Sequence, residues 1–201
     1  VIHVEKPGTL LNILPEGSEL TKGEIIKIEG ELYNDDLYAF EKWQNDYRYS
    51  LDLSKAIVDT IPIEAFREHR SIEKIILPAS LVLIESSAFY LCSNLQVVDF
   101  TDCSNLVSIG RNAFFDCEKL TNLNLSYCIN IEEVGVNAFF ALGRQTSNPL
   151  TCDLSPCEKL KKIEGTAFVH AWINKIVLPN NIEYIGGSAF FDTEITELKL
   201  P

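Results

Sequence analysis

Methionine is absent from the 201 residues, histidine occurs three times, and 17 Lys and Arg stand against 29 Asp and Glu. The resulting net charge of −12 excludes the basic surface that nucleic-acid phosphates select. It also disfavours docking on anionic lipid and reads most simply as a solubility charge. No apolar run approaches the ~20 residues needed to span a bilayer as a helix. The chain opens Val1-Ile2-His3 without a start residue or signal peptide, as expected of a processed or trimmed chain whose missing segment carried the address. Catalytic and metal-site strings are lacking as well: no C-x-x-C, H-E-x-x-H, P-loop or G-x-G-x-x-G, and no G-x-S-x-G elbow. His3, His69 and His170 lie far apart. No enzyme, metal or cofactor is therefore expected.

What is present is a repeat. Ala-Phe recurs at 65, 88, 113, 138, 167 and 189, with spacings of 23, 25, 25, 29 and 22 residues. Four residues before each Ala stands a β-branched residue (Ile61, Ile84, Ile109, Val134, Ile163, Ile185), and three before that another aliphatic (Val58, Leu81, Leu106, Ile131, Leu160, Ile182). Between units runs an apolar-x-apolar stretch: Leu51-Asp52-Leu53, Ile75-Ile76-Leu77, Val98-Asp99-Phe100, Leu123-Asn124-Leu125, Cys152-Asp153-Leu154, Ile176-Val177-Leu178 and Leu198-Lys199-Leu200. Period-two alternation predicts short strands with one buried face. Units this short cannot close their own apolar face, so they must stack on one another. The stack predicts a parallel sheet with rungs ~4.8 Å apart and a spine of Phe rings.

The unit Leu106-x-x-Ile109-Gly110-x-x-Ala113-Phe114-x-x-Cys117-x-x-Leu120-x-x-Leu123-x-Leu125 resembles the BspA-like leucine-rich repeat of bacterial surface proteins, and the resemblance covers about three quarters of the chain. Pro7-Gly8-Thr9-Leu10-Leu11, then Ile26-Lys27-Ile28-Glu29-Gly30, then Leu51-Asp52-Leu53-Ser54 is similar to the start of secreted leucine-rich-repeat proteins of Gram-negative gut anaerobes. The resemblance implies an α/β repeat fold: a right-handed leucine-rich-repeat solenoid with its parallel sheet on the concave face. It also implies export to a secreted, periplasmic or outer-surface address, with a lipid anchor in a missing N-terminal segment left open.

Residues 50–201 are expected to form the solenoid, about six repeats, and residues 1–49 its polar-faced cap. Thr9 would cap a short helix carrying Leu10, Leu11, Ile13 and Leu14 and ended by Pro15-Glu16-Gly17. Asn34 or Asp35 would cap a second, with Leu37, Phe40, Trp43 and Tyr47 packed on one face. Ile26-Lys27-Ile28 would be the first rung. The far end stops on Leu198-Lys199-Leu200-Pro201, either because a cap is trimmed away or because something else covers it.

The six cysteines fall in repeat slots that read as core, where free Cys is a small hydrophobe. Cys103–Cys128 and Cys92–Cys117 are the pairs best placed for a disulfide, though parallel side chains seldom reach the torsion. Alternation puts Lys74 and Ile76, Val97 and Asp99, Asn122 and Asn124, Thr151 and Asp153, Lys175 and Val177, Glu197 and Lys199 on the solvent side of the sheet, with Asp52 extending the stripe. This concave face is the expected binding site. It has no aromatic for stacking sugars, and the row Asp52, Asp99, Asn124, Asp153 reads as a solvated stripe rather than a cation site. The Asn124-Leu125-Ser126 sequon is a decoy in a bacterial chain. The residues after each Phe (Arg67, Tyr90, Phe115, Phe140, Val169, Phe191) form a row expected to be partly buried on an outer turn, since exposed apolar rows mark interfaces. The long repeat places 143–149 in a surface loop, where extra length is cheap. The expected function is protein or other macromolecular binding by adhesion. The alternative is a structural spacer or assembly domain with weak self-association.

Overall fold

The computed structural model describes residues 1–16, 20–44 and 47–199. Every strand pairing is parallel, as stacked repeats require. One sheet runs β1 (Ile2–Val4), β2 (Glu24–Glu31), β3 (Tyr49–Ile57), β5 (Ile72–Ile76), β7 (Val97–Asp99). After a break it resumes as β10 (Leu150–Asp153), β12 (Ile173–Val177), β14 (Glu197–Lys199). A second sheet carries the β-branched slot of each repeat: β4 (Thr60–Ile61), β6 (Leu83–Ile84), β8 (Ser108–Ile109), β9 (Glu133–Val134), β11 (Lys162–Ile163), β13 (Tyr184–Ile185). The chain is thus a leucine-rich-repeat solenoid whose apolar slots close one continuous core.

Two features of the stack depart from expectation. β1 is a rung ahead of Ile26-Lys27-Ile28, with Ile2 opposite Ile28. The Leu123-Asn124-Leu125 stretch buries both leucines yet is not a strand. Among the described residues Thr121 ties it to the rung before, its amide and hydroxyl donating to Gln96 O at 2.8 and 2.9 Å.

The Ala-Phe corner is a third ladder, built from turns. Residues one before Ala and two after Phe have left-handed φ, such as Glu64 and Glu68 (59° and 55°) and Ser87 and Leu91 (58° and 57°). Around the first corner three overlapping turns close on Pro62 O, Glu64 O and Phe66 O. The alternate amides of Glu64, Phe66 and Glu68 instead donate to Ser86 O, Ala88 O and Tyr90 O of the next repeat, at 3.1, 2.8 and 2.6 Å. The same trio recurs at every corner through Thr166, Phe168 and His170. All these amides point toward the C-terminal end of the stack and all their partner carbonyls toward the cap, so the ladder is polar along its length.

Inside the corner the Phe rings stack as a spine. Centroids from Phe66 to Phe89 to Phe114 to Phe139 to Phe168 to Phe190 are 5.1, 5.0, 5.6, 5.1 and 5.5 Å apart. Phe40 of the cap extends the spine, 5.8 Å from Phe66. Asn side chains reach back one repeat: Asn94 to Arg70 O, Asn105 to Ala79 O and Asn130 to Ser104 O, at 2.8, 3.0 and 2.8 Å.

The cap differs from its expected form. Its first helix α1 (Leu10–Ile13) is a single turn that buries Leu10, while Leu11 and Ile13 are exposed. Thr9 makes no capping bond; its hydroxyl donates to Lys6 O at 2.6 Å. Gly17 lies outside the described residues. The second helix is 3₁₀, Asn34–Trp43, with Tyr33 rather than Asn34 or Asp35 at its N-cap. Leu37, Phe40 and Trp43 are fully buried, three residues apart as a 3₁₀ period requires; Tyr47 lies beyond the helix and is exposed. Asp36 organises the cap, accepting the amides of Gly8 (2.7 Å), Tyr33 (2.9 Å) and Leu10 (3.1 Å). Tyr38 OH donates to Ile63 O (2.8 Å) and Gln44 Nε2 to Arg67 O (2.9 Å), so the cap supplies donors to carbonyls at the open end of the corner ladder.

Candidate binding face

The sheet register aligns two rows of outward residues. Lys74 stands opposite Val97 and Ile76 opposite Asp99. Thr151, Lys175 and Glu197 follow one another in one row, and Asp153 and Val177 in the other, whose backbone register continues to residue Lys199. Asn122 and Asn124 occupy the gap between these groups and are exposed. The two rows differ in what their polar groups are free to do. The second row terminates its strands: Asp99 Oδ1 accepts Thr101 N (3.1 Å) and the Thr101 hydroxyl (2.6 Å). Asn124 does the same with Ser126 at 3.2 and 2.6 Å, and Asp153 with Ser155 at 2.9 and 2.7 Å. These are Asx turns that start the bend at these three rungs. The recurring Asp/Asn-x-Ser/Thr spacing was the sequence signal for them.

Asp52 belongs to the same series, through Ser54 N at 3.0 Å, but is buried rather than solvent-facing, at 8% exposure. Burial pushes its carboxyl up; Ser54 and the Lys27 ammonium, 3.4 Å away, outweigh that and hold it below the ordinary value. In the first row Lys175 is paired with Glu197 at 2.8 Å, which pushes the lysine up. The side chains of Asn122 and Thr151 carry neither hydrogen bonds nor ion pairs among the described residues.

Those two residues flank the break in the sheet. Thr121, Asn122, Asn124, Leu150, Thr151 and Asp153 line an open cleft of about 320 Å³. The break coincides with the long repeat. Residues 143–149 do not protrude freely: Gly143 N donates to Cys117 O (3.2 Å) and Gln145 N to Glu118 O (2.8 Å), laying the insertion against the repeat before it. Leu150 N then bonds forward to Trp172 O (2.7 Å) instead of back toward Thr121. Along Asn122–Leu125 the amides and most carbonyls are left without ladder partners among the described residues.

The outer row is a second stack. The Arg67 guanidinium lies 4.9 Å from the Tyr90 ring centroid, and Tyr90, Phe115 and Phe140 follow at 5.0 and 4.4 Å. Val169 is buried, and His170 takes its place in the row, edge-on to Phe140 at 5.2 Å and bonded to Asp192 at 2.6 Å. Phe115 offers edges rather than faces, since both faces are covered by neighbouring rings; the exposed members are Arg67 and Phe191 at the two ends of the row.

All six cysteines are free and buried. Their thiols serve the stack: Cys92 donates to Phe66 O (2.9 Å), Cys117 to Phe89 O (3.2 Å) and Cys157 to Leu125 O (3.3 Å). Burial pushes all six upward, Cys103 and Cys157 to about 12. A thiolate is the nucleophile in disulfide exchange, so the native protein is expected to react with a disulfide reagent at pH 8 only as it unfolds. All six thiols should then titrate together in denaturant; prompt native labelling of any one would contradict its placement.

Among the described residues no group of three or more His, Cys, Asp or Glu could hold a metal ion, and no helix is long and apolar enough to cross a membrane. The profile of the BspA type Leucine rich repeat region matches six copies, over residues 36–155 and 152–201. No curated protein matches the chain. Among solved structures the chain is similar to a leucine rich cell surface protein from Faecalibacterium prausnitzii A2-165, at 20% identity and a TM-score of 0.43. That likeness covers 69% of this chain and 44% of the other, so the chain spans less than half the length of that relative.

Proposed function

Since the chain belongs to the BspA-type leucine-rich repeat family, we propose that it is a non-enzymatic adhesion module, secreted or displayed at the cell surface, that binds a partner protein through the sheet face. The observation that carries this reading is the break in the sheet. There the cleft brings together unclaimed backbone groups of Asn122–Leu125 and the uncommitted side chains of Asn122 and Thr151. A partner's polar groups can complete those bonds without breaking any the fold already uses. Elsewhere on the face, Asp99, Asn124 and Asp153 are engaged in turns and Lys175 in an ion pair. In this reading residues 1–49 serve as the cap and 50–201 as the binding solenoid.

The test is surface plasmon resonance against purified extracellular-matrix and surface proteins, comparing the native chain with Asn122→Lys/Thr151→Lys and with Glu132→Lys outside the face. A saturable partner weakened at least about tenfold by the double variant alone supports the reading, a loss typical of buried interface positions. Equal binding by all three removes the sheet face. The alternative reading is a structural spacer or assembly domain without a ligand of its own. Absence of any saturable partner, with a mass that rises with concentration in sedimentation, would establish it instead.

A further inference from the structure

On the side of the molecule formed by the Ala-Phe corners, the cap and the first repeat enclose two adjoining hollows of about 970 and 540 Å³ that share Tyr38 and Glu41. Together they form a trough whose apolar walls are exposed: Tyr33, Leu11, Ile63 and Tyr38 are 62, 58, 52 and 39% accessible. Large side chains left this open around one concavity mark a contact surface.

Three observations fix the polarity of what fits there. First, the charges are unbalanced. Lys42 is paired with Glu16 at 2.8 Å and Arg67 with Glu64 and Glu68, whereas Asp35 and Glu41 have no ion-pair or hydrogen-bond partner for their carboxylates among the described residues. Second, the acceptor end of the corner ladder opens into the same trough. Ile63 O and Arg67 O each receive one donor from the cap, and Ala65 O, whose counterpart Ala88 O accepts Phe66 N, receives none among the described residues. A carbonyl oxygen has two lone pairs, so this rim remains short of donors. Third, carboxylates surround the centre of the trough: burial first, and then the charges of Asp35, Glu85 and Glu64, push the Tyr38 phenol upward.

We propose that this trough is a second binding site, which takes an arginine side chain set among apolar residues in a segment of a partner protein. A guanidinium is planar and carries five donors and no acceptor; it stacks on aromatic faces and bonds carboxylates in pairs. Its donors and flat face suit what the trough offers along its length, the free carboxylates of Asp35 and Glu41, the donor-poor carbonyl rim and the open Tyr33 and Tyr38 rings, while Leu11 and Ile63 receive its apolar neighbours. The molecule already makes one such contact, Arg67 over Tyr90. A neutral sugar could use the rings but would leave the uncompensated charge unanswered. The site is independent of the sheet face and lies on different residues.

The experiment is fluorescence anisotropy with a labelled twelve-residue peptide of alternating arginine and leucine, its glutamate–leucine counterpart as control, and cellohexaose as competitor. The native chain should bind the arginine peptide saturably below about 1 mM and more weakly as salt rises. Asp35→Asn/Glu41→Gln and, separately, Tyr33→Ala should each weaken it about tenfold, whereas Asn122→Lys/Thr151→Lys should leave it unchanged. These substitutions are at exposed positions, so circular dichroism should match the native chain. No saturation by about 1 mM, equal binding of the glutamate peptide, or no effect of the trough variants would each overturn the proposal. Displacement by cellohexaose would overturn it in favour of a sugar site.

Discussion

Asp36→Ala is expected to destabilise the protein by about 3 kcal/mol or more, the largest loss at any polar side chain. The residue is 6% exposed and its carboxylate receives three backbone amides from two segments of the cap. Alanine leaves those donors without an acceptor, and an unsatisfied buried donor costs about 1–3 kcal/mol. Gly8 and Leu10 precede and begin α1, and Tyr33 begins the 3₁₀ helix, so the loss also separates the two halves of the cap. The damage should reach the solenoid, because the same 3₁₀ helix carries Phe40 onto the spine and Tyr38 onto Ile63 O. Asp36→Asn keeps one acceptor oxygen and should lose less, while Asp35→Ala next to it should be within about 0.5 kcal/mol of native, as exposed substitutions usually are. Urea unfolding followed by circular dichroism gives the three values. If alanine at 36 costs no more than alanine at 35, the hydrogen bonds do not hold the cap.

How far these features were visible in the sequence depends on which force wrote them. Burial is periodic, so the Ala-Phe spacing gave the spine and the apolar-x-apolar stretches gave the outward rows in the register observed, with Lys74 beside Val97 and Thr151 beside Lys175. Backbone hydrogen bonding leaves a fainter mark. The corner ladder needs two left-handed residues per repeat, and these are Glu64, Leu91, Asn112, Ala141 or His170 rather than glycine. Neighbouring rungs impose that conformation, against the local preference of the side chains. The break at Leu123–Leu125 was hidden because its alternation is intact; only the longer following repeat hinted at it. Two signals were readable and unused: Asp/Asn-x-Ser/Thr at 52–54, 99–101, 124–126 and 153–155, and the three-residue spacing of Leu37, Phe40 and Trp43. The polarity of the cap trough had no sequence signature, since it joins Asp35 and Glu41 to carbonyls some twenty residues later.

Phe114→Ala should cost about 3–5 kcal/mol, as truncation of a fully buried Phe does. The ring is 1% exposed and lies between Phe89 at 5.0 Å and Phe139 at 5.6 Å, nearly parallel to both, with Phe100 edge-on at 6.2 Å. Removing it opens a void bordered on both sides by rings that are themselves held in the stack, so relaxation can fill little of it. A repeat protein adds a second consequence, because its stability is a sum over units and the contacts between nearest neighbours. Phe114 belongs to two such contacts, whereas Phe190, among the described residues, stacks on Phe168 alone and is partly exposed. Phe190→Ala should therefore cost less than half as much. The central void also divides the array, so the Phe114 variant should unfold over a broader urea range, with a lower apparent m-value, as the two halves uncouple. Hydrogen exchange locates the effect: the amides of Phe89 and Phe114, which donate to Ala113 O and Ala138 O at 2.8 Å each, should lose protection before Tyr49 in β3. A sharp single transition with equal losses at 114 and 190 would mean that the corner ladder, rather than the aromatic spine, couples one repeat to the next.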